Sequence, residues 1–151
     1  MHILEQETWI DRPLDEVFTF FSKAENLNAI TPAFLNFKLL TPTPIVMRTG
    51  LNIDYQIKLG VLPFKWKTLI SSWEPPNRFV DEQLKGPYRV WHHTHTFEAV
   101  GNRTRMVDTV RYLAPGWIFE PLVHRWFVRP RVEAIFAFRT QKLKEFFPPR
   151  P

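Results

Sequence analysis

The chain contains no cysteine and only five glycines. Without cysteine it can form no disulfide, no thiolate-ligated zinc site and no thiol nucleophile, and a reducing compartment is its simpler environment. Long apolar runs are also missing. None approaches the ~18 residues of a membrane span, and the opening segment MHILEQETWI lacks the basic and apolar regions of a secretory signal. We therefore expect a cytoplasmic protein with no membrane span.

What the chain does contain is apolar and aromatic. Hydrophobic residues make up 44% of it and aromatic residues 15%, which excludes disorder and predicts an interior rich in Phe and Trp. The length suits a single domain covering residues 1–151. The net charge is +5, but most Lys and Arg residues are scattered among acids, a pattern typical of solvated faces. We expect no nucleic-acid partner.

Hydrophobic alternation predicts seven strands. The first is His2–Ile10, followed by a short amphipathic helix in DRPLDEVFTFFS and a second short helical segment in KAENLNAITP. Turn sequences such as TPTP, EPPN and KGP separate the other strands, and these connections are too short for parallel crossovers, so the sheet is antiparallel. The six later strands are predicted at residues 37–41, 51–59, 64–73, 78–85, 88–98 and 104–113.

After APGW the apolar residues recur every three or four positions, which predicts a long C-terminal amphipathic helix ending near residue 147. Pro121 and Pro130 interrupt its first part, so we expect a break near Pro130. A curved sheet with one apolar face needs a cover, and this helix is the only element long enough. The fold class is therefore α+β.

The segment YRVWHHTHTFEAV concentrates three histidines between aromatic residues. Because side chains alternate across a strand, one face of this strand and one face of the next should point toward the covering helix. If the hairpin closes through residues 99–103, His95 pairs with Asp108 and His93 with Val110. The inward faces are Trp91, His93, His95 and Phe97 in the first strand and Met106, Asp108, Val110 and Tyr112 in the second.

Three hypotheses fit buried histidines beside an aspartate. They form a satisfied interior network, a polar patch that orients a mostly apolar ligand in a cavity, or a metal or catalytic site. His93 and His95 have a spacing found in metal sites, but no third ligand stands at a diagnostic distance along the chain, so we predict no metal and no cofactor. For acid-base chemistry, His95 oriented by Asp108 is the candidate pair, although no nucleophile elbow, phosphate loop or paired-acid motif accompanies it.

Other candidates each have two interpretations. Arg139 falls on the apolar stripe of the last helix, either as a surface arginine lying along it or as a counter-charge for a ligand or for Asp81. Tyr55, Trp66 and Trp91 either fill the core or stack on a ligand. The alternation of residues 78–85 leaves open which face of that strand is inside.

The order of elements and three segments resemble the ligand-binding SRPBCC, or helix-grip, superfamily. This superfamily includes START lipid-transfer domains, the birch-pollen-allergen group and polyketide cyclases. The segments are NLNAITP, PPNRFVDEQLKGPYRVWHHTHTFEAVGNRTRMVDTVRYLAP and IFAFR. The resemblance implies a seven-stranded sheet wrapped around the last helix, with a cavity between them for apolar or aromatic molecules. It also implies that Asp81 and Gln83 share the face of His93 and His95.

From these observations we expect a protein that binds a hydrophobic or aromatic small molecule or lipid, as a monomer or homodimer. The alternative is a cyclase, dehydratase or aromatase acting on a polyketide-like substrate through His95 and Asp108. Pro121 and Pro130 depart from the family pattern, and Trp117, Phe119, Trp126 and Phe127 are expected to crowd the cavity mouth. The predicted ligand-binding residues are Tyr55, Trp66, Phe79, Asp81, Gln83, Trp91, His93, His95, Phe97, Asp108, Tyr112, Phe136 and Arg139.

Overall fold

A computed structural model describes residues 1–151. Seven strands form one antiparallel sheet in the order β1-β7-β6-β5-β4-β3-β2. The fold class predicted from the sequence is confirmed, and each strand boundary lies within three residues of its predicted position. The strands are β1 His2–Ile10, β2 Lys38–Leu39, β3 Asn52–Leu59, β4 Leu62–Glu74, β5 Arg78–Lys85, β6 Val90–Val100 and β7 Arg103–Leu113.

Helical segments lie between β1 and β2 and after β7. The first helix, α1, spans Leu14–Phe21, and the second predicted segment is a 3-10 helix, Ala24–Ile30, followed by a 3-10 turn at Ala33–Leu35. After β7 come a 3-10 turn at Trp117–Phe119, the short α2 at Glu120–Val123, a π-helical turn at His124–Val128 and the long α3 at Arg129–Phe146.

The predicted break near Pro130 is the π-helical turn that precedes α3. Pro130 itself lies in the first turn of α3. Its fixed φ suits a helix, and the helical backbone runs without interruption from the π-helical turn into α3. The irregularity near Pro130 is therefore a change of helix type and not an end of the helix.

The hairpin of β6 and β7 has the predicted register. His95 pairs with Asp108, and His93 pairs with Val110. Pairing continues to Val100 and Arg103, so the turn contains only Gly101 and Asn102, and Gly101 has a φ of 60°, a conformation that glycine adopts without steric cost. The tight turn fixes which side chains of both strands point toward α3.

A buried polar layer lies between two apolar clusters. On one side, Phe97, Met106 and Leu143 belong to a cluster that packs around α1. On the other side, a second cluster consists of Val110, Tyr112, Val132 and Phe136. Between them along β6, β7 and α3 stand the buried residues His93, His95, Asp108 and Arg139.

Phe97 gives a test of this arrangement, because its side chain is buried in the first cluster, 5.3 Å from the rings of Phe18 and Phe21. We expect Phe97→Ala to lower the free energy of unfolding by about 3–5 kcal/mol, through lost burial and the cavity left behind. The control Phe34→Ala, at a side chain that is 53% exposed, should change it by no more than about 0.5 kcal/mol. Urea denaturation of both variants makes the comparison, and equal effects would contradict the assigned core.

Candidate functional site

The main cavity lies between the concave side of the sheet and α3. Its volume is about 370 Å³, within the range of small-molecule sites. Of the 34 residues that line it, 23 are hydrophobic, so most of its wall suits an apolar molecule. The lining comes mainly from β3 to β6, from the 3-10 segments after α1, and from one face of α3.

Most of the predicted ligand-binding residues do line this cavity. The aromatic members come from four strands and α3, and the polar members form a patch on β5, β6 and α3. The predicted residues in the lining are Tyr55, Trp66, Phe79, Asp81, Trp91, His93, His95, Phe136 and Arg139.

Four predicted residues are not part of the lining, and each has another structural role. Gln83 donates to the backbone oxygen of Tyr88 at 2.7 Å and accepts from its N–H at 3.2 Å, which holds the β5–β6 connection. Phe97 belongs to the core beside α1. The Tyr112 hydroxyl is hydrogen-bonded to His124, 2.9 Å away. Asp108 contacts His93 on the side of the histidine that faces away from the cavity.

Asp108 is the centre of the polar layer and is only 2% exposed. Its Oδ1 lies 2.8 Å from His93 Nε2, 3.1 Å from His95 Nδ1 and 3.1 Å from Arg139 Nη2. The predicted pair of His95 and Asp108 is thus present. The same carboxylate oxygen also serves His93 and Arg139.

Asp81 is the carboxylate on the cavity side of the layer. Its Oδ2 lies 2.6 Å from His95 Nε2 and 3.7 Å from His93 Nδ1. His95 therefore stands between two carboxylates, with Asp108 at one ring nitrogen and Asp81 at the other. The shorter of its two contacts is with Asp81.

Arg139 is the counter-charge of this layer. Its side chain is buried, so the surface alternative considered from the sequence is wrong. Its carboxylate partner is Asp108 and not the expected Asp81, and its Nη2 also lies 3.3 Å from His95 Nδ1. Because Arg139 lines the cavity as well, its role as a counter-charge for a ligand stays a prediction. The guanidinium also lies 5.2 Å from the ring centre of Phe21 and 5.9 Å from that of Phe136, so it is enclosed by aromatic faces.

The protonation of the layer follows from these contacts. Burial raises the pKa of Asp108, but Arg139 and the hydrogen bonds of both histidines outweigh it and hold that pKa well below 3.8. Burial also opposes the charge on Asp81, yet His93 and His95 lower its pKa. Burial lowers the pKa of His95, but its bonds to Asp108 and Asp81 outweigh this effect and raise the pKa above 6.5. Burial and the neighbouring His95 lower the pKa of His93.

These directions favour ionised carboxylates on Asp81 and Asp108, and they make His95 the histidine of the pair that protonates more readily. One imidazolium together with the guanidinium of Arg139 balances the formal charges of the two carboxylates, which offsets the cost of burying the layer. Elsewhere in the cavity, burial raises the pKa of Tyr55, so its phenol stays neutral and can donate a hydrogen bond.

Several lining residues were not singled out from the sequence. Ile53 and Ile57 flank Tyr55 on one face of β3, and Thr68 and Ile70 follow Trp66 on one face of β4. The same alternation that placed Tyr55 and Trp66 could have found them, since residues two apart share a face.

Four aromatic side chains between β7 and α3 are exposed. Trp117 is 82% exposed and Trp126 is 65% exposed, and neither lines the cavity. Phe119 is also exposed. Phe127 is exposed as well and lines the cavity at the same time.

Residues 38–147 match the family described as "Domain of unknown function (DUF8410)", which is most of the chain. The chain belongs to the DUF8410 family. No curated protein matches this chain. None of its helices is both long and apolar enough to cross a membrane.

Solved structures show that this DUF8410 protein has the helix-grip fold. The Zhui aromatase/cyclase from Streptomyces sp. R1128 is 14% identical, with a TM-score of 0.73 over 96% of this chain and 92% of that chain. The ginseng major latex-like protein 151 from Panax ginseng is 12% identical, with a TM-score of 0.69 over 98% of each chain. A norcoclaurine synthase point mutant from Thalictrum is 14% identical, with a TM-score of 0.66 over 96% of this chain and 95% of that chain.

These likenesses confirm the predicted resemblance to SRPBCC proteins at the level of the fold. Identities this low do not transfer an activity, since the same scaffold carries unrelated functions. What the DUF8410 protein does must be argued from its own cavity.

The polar layer of the DUF8410 chain gives a stability prediction. Asp108→Asn leaves the buried Arg139 without its carboxylate, so we expect the free energy of unfolding at neutral pH to fall by about 3–5 kcal/mol. Because the pKa of Asp108 is lower in the folded state than the unfolded value of 3.8, its contribution is complete above that pH. The contribution is lost as the pH falls through the folded-state pKa.

Urea denaturation from about pH 7 to about pH 3 measures this difference. The gap between wild type and Asp108→Asn should persist from neutrality down to pH 3.8 and begin to close only below that pH. Asp54→Asn is the control, because its ion pair with Lys67 is about half exposed and should contribute no more than about 1 kcal/mol. A gap at neutral pH no larger than that of the control would contradict the central role of Asp108.

Proposed function

We propose that this protein binds an aromatic or otherwise apolar small molecule in the cavity between the sheet and α3. The observation that carries the proposal is one polar patch in a mostly hydrophobic wall. Asp81, His93, His95 and Arg139 line the cavity together. A site built only for core stability would not need charged groups facing a space large enough for a ligand.

The apolar part of the wall would supply affinity. Tyr55 and Trp66 are stacked with ring centres 5.7 Å apart, and Trp91 meets Trp66 edge-on at 5.5 Å. Flat ring surfaces at these angles suit a planar ligand. Each Å² of apolar ligand surface covered would contribute about 25 cal/mol before the costs of association.

The polar patch would fix the ligand's orientation. With His95 protonated and Asp81 ionised, the patch offers one strong donor and one strong acceptor. A ligand with one hydroxyl or carbonyl group on an apolar body matches that pair, and a lipid with such a group falls within the same class. A cytoplasmic location, and the choice between monomer and homodimer, stay predictions from the sequence.

A cavity-filling substitution tests the proposal. Ile135 lines the cavity from α3, whereas Ala137 lies on the same helix and is exposed. We expect Ile135→Trp to occupy ligand space and weaken binding at least ~10-fold, and Ala137→Trp to leave binding unchanged. Binding is measured by fluorescence titration with an anilinonaphthalene dye and by native mass spectrometry after a screen of aromatic metabolites and lipids.

Two outcomes would refute ligand binding in this cavity. One is the absence of any dye or metabolite bound to the wild type. The other is equal loss of binding in Ile135→Trp and Ala137→Trp. Thermal unfolding of both variants checks that each retains the fold.

A second candidate function is catalysis on a polyketide-like substrate, as a cyclase, dehydratase or aromatase. It is favoured by the position of His95 on the cavity wall, held by a carboxylate at each ring nitrogen. The sequence suggested His95 as a general base. The contacts that raise the pKa of His95 stabilise its protonated form, which favours a role as proton donor to a substrate carbonyl.

The catalytic candidate predicts a separation between turnover and affinity. His95→Gln should lower kcat on a poly-β-ketone substrate analogue at least ~100-fold, while the Kd for the product changes less than about threefold. The matched control is His92→Gln, on the other face of β6. Parallel loss of kcat and affinity would assign His95 to binding alone.

A further inference from the structure

We propose that Asp81, His93 and His95 form a binding site for a divalent transition-metal ion of the zinc or ferrous-iron type, in the cavity wall. One ligand atom from each residue lies within 4.8 Å of the other two. The three residues come from adjacent strands, β5 and β6, so the sheet itself holds them together. The sequence argued against a metal because Asp81 has no diagnostic spacing to the histidines, but strand pairing brings Asp81 directly opposite His93.

Two of the three separations between the ligand atoms lie close to those of a metal site. Asp81 Oδ2 is 2.6 Å from His95 Nε2 and 3.7 Å from His93 Nδ1. Ligands bound at the usual metal distances of about 2.0–2.2 Å stand roughly 3–3.5 Å from one another. The two observed separations bracket that range. Movements of up to about 1 Å would bring both of these separations into that range, and all three ligand atoms already lie within 4.8 Å of one another.

In each imidazole, the ring nitrogen that would not bind the metal already contacts a carboxylate, as is usual for histidines that bind metals. His93 Nε2 and His95 Nδ1 both lie on Asp108 Oδ1, at 2.8 Å and 3.1 Å. A carboxylate that accepts a hydrogen bond from the second ring nitrogen fixes the tautomer and orients the first nitrogen toward a metal. Arg139, 3.1 Å from the same oxygen, holds Asp108 in turn.

Aromatic packing fixes the planes of both rings. Phe79 stacks on His95 with ring centres 4.0 Å apart and an interplanar angle of 17°. Phe136 meets His93 edge-on, with ring centres 5.5 Å apart. The ligand nitrogens are therefore preorganised, which lowers the entropic cost of binding an ion.

The ligand set and the charge indicate which ion fits. Two imidazole nitrogens and one carboxylate oxygen suit zinc or ferrous iron, whereas magnesium and calcium prefer oxygen ligands. Apart from the imidazoles, the layer contains two carboxylates and one guanidinium, so it has a net charge that favours a cation. The remaining coordination positions would face the cavity, where water or a ligand oxygen can bind.

The metal site does not depend on the proposed apolar ligand, and the two are measured separately. Ile135→Trp should block the cavity yet leave the three metal ligands in place. Metal binding that survives in this variant, together with loss of the organic ligand, distinguishes the two proposals. Failure of either one leaves the other standing.

The experiment is a titration of the metal-depleted full-length chain with Zn²⁺ and Co²⁺, followed by calorimetry and by visible absorption of Co²⁺. We expect one ion per chain with a micromolar or lower Kd, and at least ~100-fold weaker binding of Mg²⁺. Asp81→Asn and His95→Gln should each weaken Zn²⁺ binding at least ~100-fold.

Two matched variants serve as controls. His92→Gln changes the histidine on the opposite face of β6. His124→Gln removes the other histidine group of the fold, where His2 and His124 stack with ring centres 3.4 Å apart. Both should bind Zn²⁺ like the wild type. Loss of binding in His124→Gln, or binding that survives both Asp81→Asn and His95→Gln, would overturn the proposal.

A measurement on the wild type alone covers the case in which a variant does not fold. X-ray absorption of the Zn²⁺-loaded protein should show two imidazoles and at least one further oxygen ligand in the first shell. A shell of oxygens without imidazole, or no stoichiometric binding at all, would refute the site.

Discussion

The rest of the site depends on how the buried charge of Asp108 is compensated. A carboxylate this far from water is tolerated only if charged and hydrogen-bonding partners surround it. Here one oxygen receives Arg139 from α3 and two imidazoles from β6. The compensation joins the sheet to its covering helix at one point, and it fixes where α3 lies along the sheet.

The polar layer around Asp108 also divides the interior into two apolar parts. Phe97, Met106 and Leu143 pack on one side of the polar layer, while Val110, Val132 and Phe136 pack on the other. Replacing a buried ion pair with well-packed apolar residues is often neutral or stabilising, so stability alone gives little reason to keep four polar residues here. The cavity supplies a reason, because His93, His95 and Arg139 line that space beside Asp81, and Asp108 holds all three from behind.

The sequence could predict which side chains of β6 and β7 point toward α3. Alternation and a tight turn gave the β6–β7 register, and with it the meeting of His95 and Asp108. Alternation predicts which face of the sheet a side chain lies on, but not how far it lies from the cavity. It therefore could not show that Asp108 contacts the histidines on the side away from the cavity, while Asp81 contacts them on the cavity side. Nor could alternation show that the side chain of Gln83 makes two hydrogen bonds to the backbone of Tyr88, because these bonds depend on the conformation of the β5–β6 loop.

The position between His95 Nε2 and Asp81 Oδ2 is where the candidate functions separate. These atoms lie 2.6 Å apart, a distance at which a proton on the nitrogen joins the two groups in a hydrogen bond. A ligand hydroxyl could bridge the same two atoms, and a metal ion would replace the proton and bind both. A proton on His95 Nε2 and a metal ion on the same nitrogen exclude one another, since both use its lone pair. Acid catalysis by His95 and metal coordination are therefore competing uses of one atom, whereas an apolar ligand can occupy the cavity beside either of them, so the shared fold leaves the choice open.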